Sequence, residues 1–346
     1  MQKKFSRLYR EACQPENQIS IDPHEARLVI FSDHHKGDNS GADDFKKNAA
    51  LYTIALNYYA EHKFKLIVLG DSEELWENSM EQVLEHYESL IRDEITLALE
   101  GPDGKKIRIW GNHDKEVSLR WFRWNSRKLS SLGLEKIDYR ECLCLGPDIF
   151  LIHGHQGRFF EDKAWRLSRW AVQFIWKTIQ KILHIGIDGP AENFALRENL
   201  EMNYYLWAKA KKVLLICGHT HQAIFSSLTH YDRLQLDIKR LESELSQMPS
   251  EQRSKLTSQI ADKQQHIQEI LWQSLGYTPR SFETPAEQSL PCYFNSGCCG
   301  YTNGITCLEI DMGEIRLIKW RRDTKRRRVL VQDDLQTILN TIKAAN

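Results

Sequence analysis

The 346-residue sequence predicts an α/β fold that carries a helical cap and an inserted helical hairpin. Three observations predict it. Short apolar runs end abruptly at a glycine or a polar residue, as buried strands do. Amphipathic helical stretches separate the first three runs, and two longer helical segments interrupt the rhythm further along the chain. Strand, helix and strand at this spacing are typical of a βαβ core.

The composition is that of a globular protein, with 41% hydrophobic and 27% charged residues. These values exclude a mainly disordered chain, a collagen-like repeat and a polytopic membrane protein. The 47 Lys and Arg residues balance the 47 Asp and Glu residues, so the formal net charge is zero. Because no overall positive field attracts phosphates, we expect no nucleic-acid partner.

The eight cysteines show no CxxC pair and no regular spacing. A chain of this length can bury its own core, so it does not need a disulfide framework. Residues 1–20 lack the apolar segment of a secretion signal, and no run of about eighteen apolar residues could span a bilayer. We therefore expect a cytoplasmic protein.

The core elements are predicted in chain order from the apolar runs, whose short length and β-branched content favour strands. Strands are assigned to residues 28–31, 66–69, 107–110, 149–152 and 213–216 and to runs within 292–320, and helices to residues 43–62 and 79–100. The core is expected to comprise residues 1–155, 213–230 and 285–330, with a C-terminal helical tail at 331–346. The basic run at 321–328 is expected to be a solvated strand end or turn.

Residues 156–212 are predicted to form the helical cap. Within the cap, residues 163–187 contain five Lys and Arg residues and no acid, and their basic positions back a wide apolar arc on a helical projection. This composition is typical of a helix at a lipid interface, and contact with a membrane surface is one of two expectations. The alternative is that the apolar arc packs on the core or on a second subunit.

Residues 231–275 are predicted to form an antiparallel helical hairpin. Apolar residues repeat at heptad spacing on both sides of Pro249 and Ser250, which mark the turn. Two such helices bury their own seam and present charged outer faces. The hairpin is therefore predicted to be an interaction arm or a homodimer interface, and its mixed outer charges give nucleic acid no basic stripe.

Metal-ligating residue types follow five of the predicted strands. In open α/β sheets the site lies beyond the carboxyl ends of the strands, so these side chains should face one cleft. Carboxylate, amide oxygen and imidazole suit divalent metals such as Mn, Fe and Zn, and the set contains no cysteine. In chain order the residues are Asp33 and His35, Asp71, Asn112 with His113 and Asp114, His153, and His219 with His221.

Each motif alone is common in turns, whereas the ordered set resembles the calcineurin-like metallophosphoesterase family, with its pattern D-x-H, G-D, G-N-H-D, H and G-H-x-H. The resemblance implies a two-sheet sandwich flanked by helices and two divalent metal ions, with Mn expected first and Fe, Zn or Mg as alternatives. One ion would be held by Asp33, His35, Asp71 and His221, and the other by Asp71, Asn112, His153 and His219.

The resemblance also implies the reaction. A hydroxide that bridges the two metals would attack a phosphoester or pyrophosphate in line, and the paired ions would absorb the developing charge. His113 would assist the leaving group, and Asp114 would orient His113 through a hydrogen bond.

Several neighbouring residues have less specific expectations. His34 should face away from the metals because it alternates with Asp33 and His35. His155 is predicted to be either a substrate contact or a structural residue. Asp38, Glu73, Glu74 and Asn78 lie on loops next to predicted ligands, so contacts with substrate or with the ligands are open, although solvated loop positions are the more common outcome.

The cap is similar in position to that of the UDP-2,3-diacylglucosamine pyrophosphatase-like enzymes, whose cap holds acyl chains. This similarity implies a lipid-linked substrate, or otherwise a phosphorylated small molecule, and a protein that is peripheral at the membrane. The sequence departs from those enzymes at His113, where they carry Arg, and at His155, where they carry Asp. The alternatives to a phosphoesterase are a non-catalytic scaffold that uses the hairpin to assemble partners, and a nuclease.

Overall fold

The computed structural model describes residues 1–119, 133, 137–156, 190–247, 253–273 and 278–345. The predicted amphipathic stretch at 163–187 lies outside these residues. The described strands are β1 (Arg27–Phe31), β2 (Lys65–Val68), β3 (Ile107–Ile109), β4 (Asp138–Arg140), β5 (Cys142–Leu145), β6 (Ile149–Ile152), β7 (Leu214–Cys217), β8 (Tyr293–Asn295), β9 (Gly304–Asp311), β10 (Glu314–Arg321) and β11 (Arg326–Asp334). The α-helices are α1 (Gln2–Ala12), α2 (Ala49–Glu61), α3 (Met80–Leu97), α4 (Pro190–Lys211), α5 (His230–Gln247), α6 (Ser254–Gln273) and α7 (Leu335–Ala344).

Two sheets build the core, as predicted. The first has the strand order β11-β10-β9-β1-β2, in which β1 pairs parallel with β2 and antiparallel with β9. The second has the order β5-β6-β7-β8, in which β6, β7 and β8 run parallel. A short parallel pair, β3 and β4, adjoins the first sheet through a bridge between Leu69 and Ile109.

The apolar pattern of β1 explains why the sheets stack. Alternate side chains of a strand point to opposite faces of the sheet. Leu28 and Ile30 enter the core shared with Phe150 and Leu215 of the second sheet, whereas Val29 and Phe31 face the cluster that contains residues of α2 and α3. The predicted sandwich flanked by helices is therefore confirmed, with the carboxyl ends of β1, β2, β6 and β7 left to carry the loops of the site.

The predicted hairpin corresponds to α5 and α6. Leu241 and Ile260 are buried, and Lys263 Nζ lies 2.5 Å from Asp237 Oδ2 across the two helices. Among the described residues no helix is long and apolar enough to cross a membrane.

The C-terminus differs from the predicted helical tail at 331–346. Strand β11 continues to Asp334, and α7 begins only at Leu335, where the Asp334 carboxylate caps the helix by accepting a 2.6 Å bond from the Thr337 amide. Leu335 and Ile338 are buried in the shared core. The helix is therefore part of the core, because its apolar face packs against the end of the first sheet.

Two N-terminal features had no counterpart in the sequence analysis. Helix α1 packs Phe5 against Tyr204 and Trp207 of α4, with ring centroids 5.6 and 5.5 Å apart. Cys13, just after α1, forms a disulfide with Cys144 of β5. The sequence analysis expected no disulfide framework and did not predict this single bond, because its two cysteines are 131 residues apart in the sequence.

Candidate metal centre

The loops after β1 and β2 continue the pairing of the two strands beyond their ends. The Asp33 amide donates to the Gly70 carbonyl at 3.1 Å, and the His35 amide donates to the Asp71 carbonyl at 3.0 Å. Asp33, His35 and Asp71 all have φ near +50°, in the left-handed region that non-glycine residues rarely occupy. His219 and His221, after β7, share this conformation with φ of 69° and 58°. Such strain concentrated at one rim is characteristic of a functional site.

Two glycines permit the loops to approach one another. A Cβ atom at Gly218 would lie 2.6 Å from Asp33 Oδ2, and one at Gly111 would overlap Asp71 Oδ1. Both positions precede predicted ligands, which explains why the motifs G-N-H-D and G-H-x-H begin with glycine.

The predicted ligands gather in two adjacent clusters. Asp33, His35 and His221 form the first, where His221 Nε2 lies 3.2 Å from both Asp33 Oδ1 and His35 Nε2. Asp71, His153 and His219 form the second, where His153 Nε2 lies 3.0 Å from Asp71 Oδ2. The clusters are contiguous, because His35 Nε2 is only 3.9 Å from Asp71 Oδ2.

These residues fit two metal ions. Ligand atoms that share an ion at about 2.0–2.2 Å lie roughly 3–4 Å apart, which is the spacing seen here. Among the buried polar atoms of this site, Asn112 Oδ1 has no hydrogen-bond partner among the described residues, and His153 Nε2 has only the Asp71 carboxylate beside it. Unpaired buried polar atoms are costly, and a cation would satisfy both. Carboxylate, amide and imidazole donors accept several divalent metals.

The electrostatics of the clusters favour cations. Burial lowers the pKa of His153, but the carboxylates of Asp71 and Asp33 raise it to about 10. Burial raises the pKa of Asp33, but His221 and His153 lower it to about 2. The carboxylates are therefore ionised, and they favour the protonated, positively charged form of the His153 imidazole. A metal ion needs the unprotonated nitrogen, so metal binding at this rim should release protons.

Asp114 does not orient His113, contrary to the sequence-based expectation. The Asp114 carboxylate accepts bonds from the backbone amides of Gly111 at 2.6 Å and Ser72 at 2.8 Å. It therefore ties the loop after β3 to the loop after β2. Asp114 is fully buried, and both of its carboxylate oxygens accept from these backbone amides instead of from the His113 ring.

Glu74 takes the role that was assigned to Asp114. One carboxylate oxygen lies 2.8 Å from Nδ1 of His113, and the other lies 2.8 Å from Nδ1 of His35. The Trp76 ring stacks on His113 with centroids 4.3 Å apart. Burial lowers the pKa of His113, but the Glu74 and Asp71 carboxylates raise it. Of the two alternatives left open for Glu74, the structure favours contact with site residues over a solvated loop position, and its place three residues after Asp71 was the available signal.

Replacing Glu74 by glutamine should lower turnover about 10–100-fold, the usual effect of losing a group that orients a metal-site residue. The amide can accept from only one imidazole, so the ring of His113 or His35 loses its alignment. Steady-state kinetics together with metal content would measure this effect, with the exposed Glu81→Gln as the control. Wild-type turnover in Glu74→Gln would show that the orientation of His113 does not matter.

The remaining neighbours divide into buried and loop residues. His34 faces away from the metals, as predicted, and its ring lies 4.7 Å from Tyr52 between centroids. His155 is fully buried against Trp110 and His153, which favours the structural alternative. Asn78 is buried and donates to the Glu74 carbonyl at 3.1 Å, and Asp38 is half-buried.

A buried ionic network lies beneath the loops. Lys36 Nζ lies 2.8 Å from Glu94 Oε1, and Arg108 Nη2 lies 2.6 Å from both oxygens of Glu73. Lys36 joins the two pairs, since its Nζ is also 3.6 Å from Glu73. All four side chains are at most 6% exposed. Glu73 is therefore a buried ion-pair partner and not the solvated residue that its loop position suggested.

Helix α4, the end of the cap, contacts both loops of the second cluster. The Tyr204 hydroxyl donates to the Gly154 carbonyl at 2.7 Å, next to His153. Glu201 is buried and forms a side-chain hydrogen bond with Thr220, between His219 and His221. Burial raises the pKa of Glu201 from 4.5 to about 8.

Replacing Glu201 by glutamine should stabilise the protein at alkaline pH. A carboxyl whose folded pKa exceeds its unfolded pKa contributes stability at low pH and loses it as the pH rises through the folded value, here about 8. The parent should therefore fall below Glu201→Gln in free energy of unfolding between about pH 5 and 9. Urea denaturation would measure the free energy of unfolding across this pH range, with the exposed Glu242→Gln as the control. A difference between the parent and Glu201→Gln that did not change with pH would contradict the expectation.

A family model described as calcineurin-like phosphoesterase matches residues 26–223, which is more than half of the chain and contains every predicted site residue. No curated protein matches the chain.

Proposed function

Since the chain belongs to the calcineurin-like phosphoesterase family, and is thereby a metal-dependent phosphoesterase, we propose that it hydrolyses a lipid-linked phosphoester or pyrophosphate. The observation that carries the reaction type is the pair of contiguous clusters around Asp33 and Asp71, with His113 at their edge. Bound divalent ions, Mn in our proposal, would polarise the phosphoryl oxygens and activate the attacking water.

The chain's own residues supply orientation and a proton. Nδ1 of His113 is bonded to Glu74, so Nε2 is the nitrogen left to donate to the leaving oxygen. The Trp76 ring and the Asp71 carboxylate, which accepts from the His113 amide at 2.8 Å, hold this histidine beside the clusters. A group fixed in this way needs little reorganisation when charge develops.

The lipid part of the proposal rests on the cap. On a helical projection of the sequence, residues 163–187 combine a basic side with a wide apolar arc, and the cap follows His153 in the chain, which is where the sequence resembles the UDP-2,3-diacylglucosamine pyrophosphatase-like enzymes. A protein that is peripheral at the membrane would bring this segment to its substrate. The metal-replete enzyme should be tested against lipid and nucleotide phosphate panels with and without detergent; activity restricted to nucleotides would refute the lipid assignment.

Replacing His113 by alanine should retain two metals and lower turnover about 100- to 10,000-fold, the range for a lost general acid. The imidazole lies beside the clusters without being required to hold an ion. Hydrolysis of an aryl phosphodiester and metal content should be measured on the same preparation, with exposed His86→Ala as the control. Normal turnover in His113→Ala would remove its assigned role.

The α5–α6 hairpin supports a second proposal, that this arm binds a partner or a second copy of the chain. Leu241 and Ile260 are buried and Lys263 pairs with Asp237 across the two helices, so the contact between the helices needs no further partner. The charged outer faces are therefore available for binding. If the metal-replete protein hydrolysed no phosphoester while the hairpin assembled a complex, the scaffold alternative would replace the enzyme.

A further inference from the structure

The tip of the β10–β11 hairpin concentrates positive charge. Residues 319–328, here called the basic hairpin, contain seven Lys and Arg residues and a single acid. Asp323 pairs with Arg321 at 3.0 Å, and Glu309 pairs with Arg327 at 2.8 Å. The other exposed cations have no carboxylate partner in the part of the chain that the structure describes; they are Arg322, Lys325, Arg326 and Arg328.

The basic hairpin lies at the same end of the sandwich as the metal ligands. Lys319 Nζ is 2.7 Å from Asn303 Oδ1 and 5.9 Å from the centre of the Tyr301 ring. The Tyr301 hydroxyl donates to the backbone carbonyl of His221. Two consecutive contacts, from Lys319 to Tyr301 and from Tyr301 to His221, therefore connect the basic hairpin to a predicted metal ligand, which places it beside the rim that carries the site.

The shape of this surface indicates which anionic partner it fits. The cations occupy a turn and the edge strand β11, where Val329 and Leu330 remain 36% and 42% exposed. A projecting tip with cations beside exposed apolar side chains suits a planar anionic surface. A nucleic-acid track would need positive charge from the tip to the clusters, but the intervening Tyr301 and Asn303 are neutral.

We propose that the basic hairpin is an electrostatic docking surface for an anionic lipid bilayer and that it turns the metal centre toward the membrane. The inference rests on the proposed function in one respect, since a lipid-linked substrate is what such an orientation would serve. It assigns membrane contact to the described edge of the first sheet, independently of residues 163–187.

The strength of the attraction sets the size of the test. Each basic residue near an anionic bilayer strengthens binding about fivefold, and added salt screens the effect. Removing three cations should weaken binding about 100-fold. Reversing their charge should weaken it further.

The experiment is co-sedimentation of the full chain with phosphatidylcholine vesicles, with and without phosphatidylglycerol. We expect the parent to bind only the anionic vesicles at low salt and to dissociate at about 1 M salt. Arg322→Glu, Lys325→Glu and Arg326→Glu combined should reduce this binding at least about 100-fold. Circular dichroism would verify that the exposed substitutions leave the fold intact.

A charge-matched control separates this surface from net charge. Arg10, Lys211 and Lys212 are exposed at the ends of α1 and α4, near the opposite ends of β6 and β7 from the metal ligands. Changing these three to glutamate should weaken vesicle binding far less. Equal weakening, or no binding of the parent to anionic vesicles, overturns the proposal, as does retention on single-stranded DNA that depends on the basic hairpin without vesicle binding.

Hydrolysis of a soluble aryl phosphodiester on the same preparations separates the two proposals. Turnover without vesicle binding would refute the docking surface alone. Vesicle binding without turnover would refute the proposed function and leave the docking surface in place.

Discussion

Asp71→Asn is expected to lose at least one of two bound divalent ions and to lower turnover by more than about 100-fold, beyond what outer-sphere partners contribute. Asp71 belongs to one cluster and lies 3.9 Å from His35 of the other, so it is the carboxylate best placed to contact both ions. The substitution removes the negative charge but retains Oδ1, which accepts the bond from the His113 amide.

Because asparagine preserves the shape of the loop, a loss of metal would report on charge and not on folding. Metal content after dialysis, isothermal titration with Mn²⁺ and steady-state kinetics should be measured together. The matched control is Asp44→Asn, whose side chain is 81% exposed and should change none of the three. Two ions bound at parental affinity in Asp71→Asn would exclude Asp71 as a shared ligand.

Lys36→Met is expected to lower the free energy of unfolding by about 3–5 kcal/mol. The ammonium group is fully buried between Glu94 and Glu73. Methionine fills a similar volume, so the cost comes from a carboxylate at Glu94 that is left without its counter-charge.

Urea denaturation provides the measurement, and Lys47→Met provides the control. Lys47 pairs with the exposed Asp44, and its loss should cost no more than about 0.5 kcal/mol. Adding Glu94→Gln to Lys36→Met should recover part of the loss, because the unpaired charge is then removed. If Lys36→Met alone lowered the free energy of unfolding by less than about 1 kcal/mol, charge pairing would not be what holds the network together.

The strands and ligand positions could be predicted because burial and chemistry leave local marks in the sequence. Short apolar runs mark the strands at Leu28–Phe31 and Leu214–Ile216, and the predicted ligands Asp33 and His219 come shortly after them. Parallel strands bring such ends to one edge of the sheet. The heptad spacing around Pro249 likewise marked α5 and α6.

The partners of the site residues could not be predicted in the same way. Glu74 and Asp114 are both acids near His113, and only the direction of the loop decides which one reaches its ring. Lys36 looks like a solvated charge in the sequence because its partner Glu94 comes from a distant helix, and Arg108 does so because its partner Glu73 lies 35 residues away. The disulfide of Cys13 with Cys144 depends on how α1 packs against β5, and no sequence motif predicts that packing.

The contacts of α4 with Gly154 and Thr220 have a practical consequence for anyone who shortens this protein. A version trimmed of its entire inserted segment would leave two catalytic loops without their common brace, and its inactivity would say nothing about substrate capture. Excision that stops ahead of Pro190 retains the brace, and only such a version can reveal what the excised residues contribute to recognition.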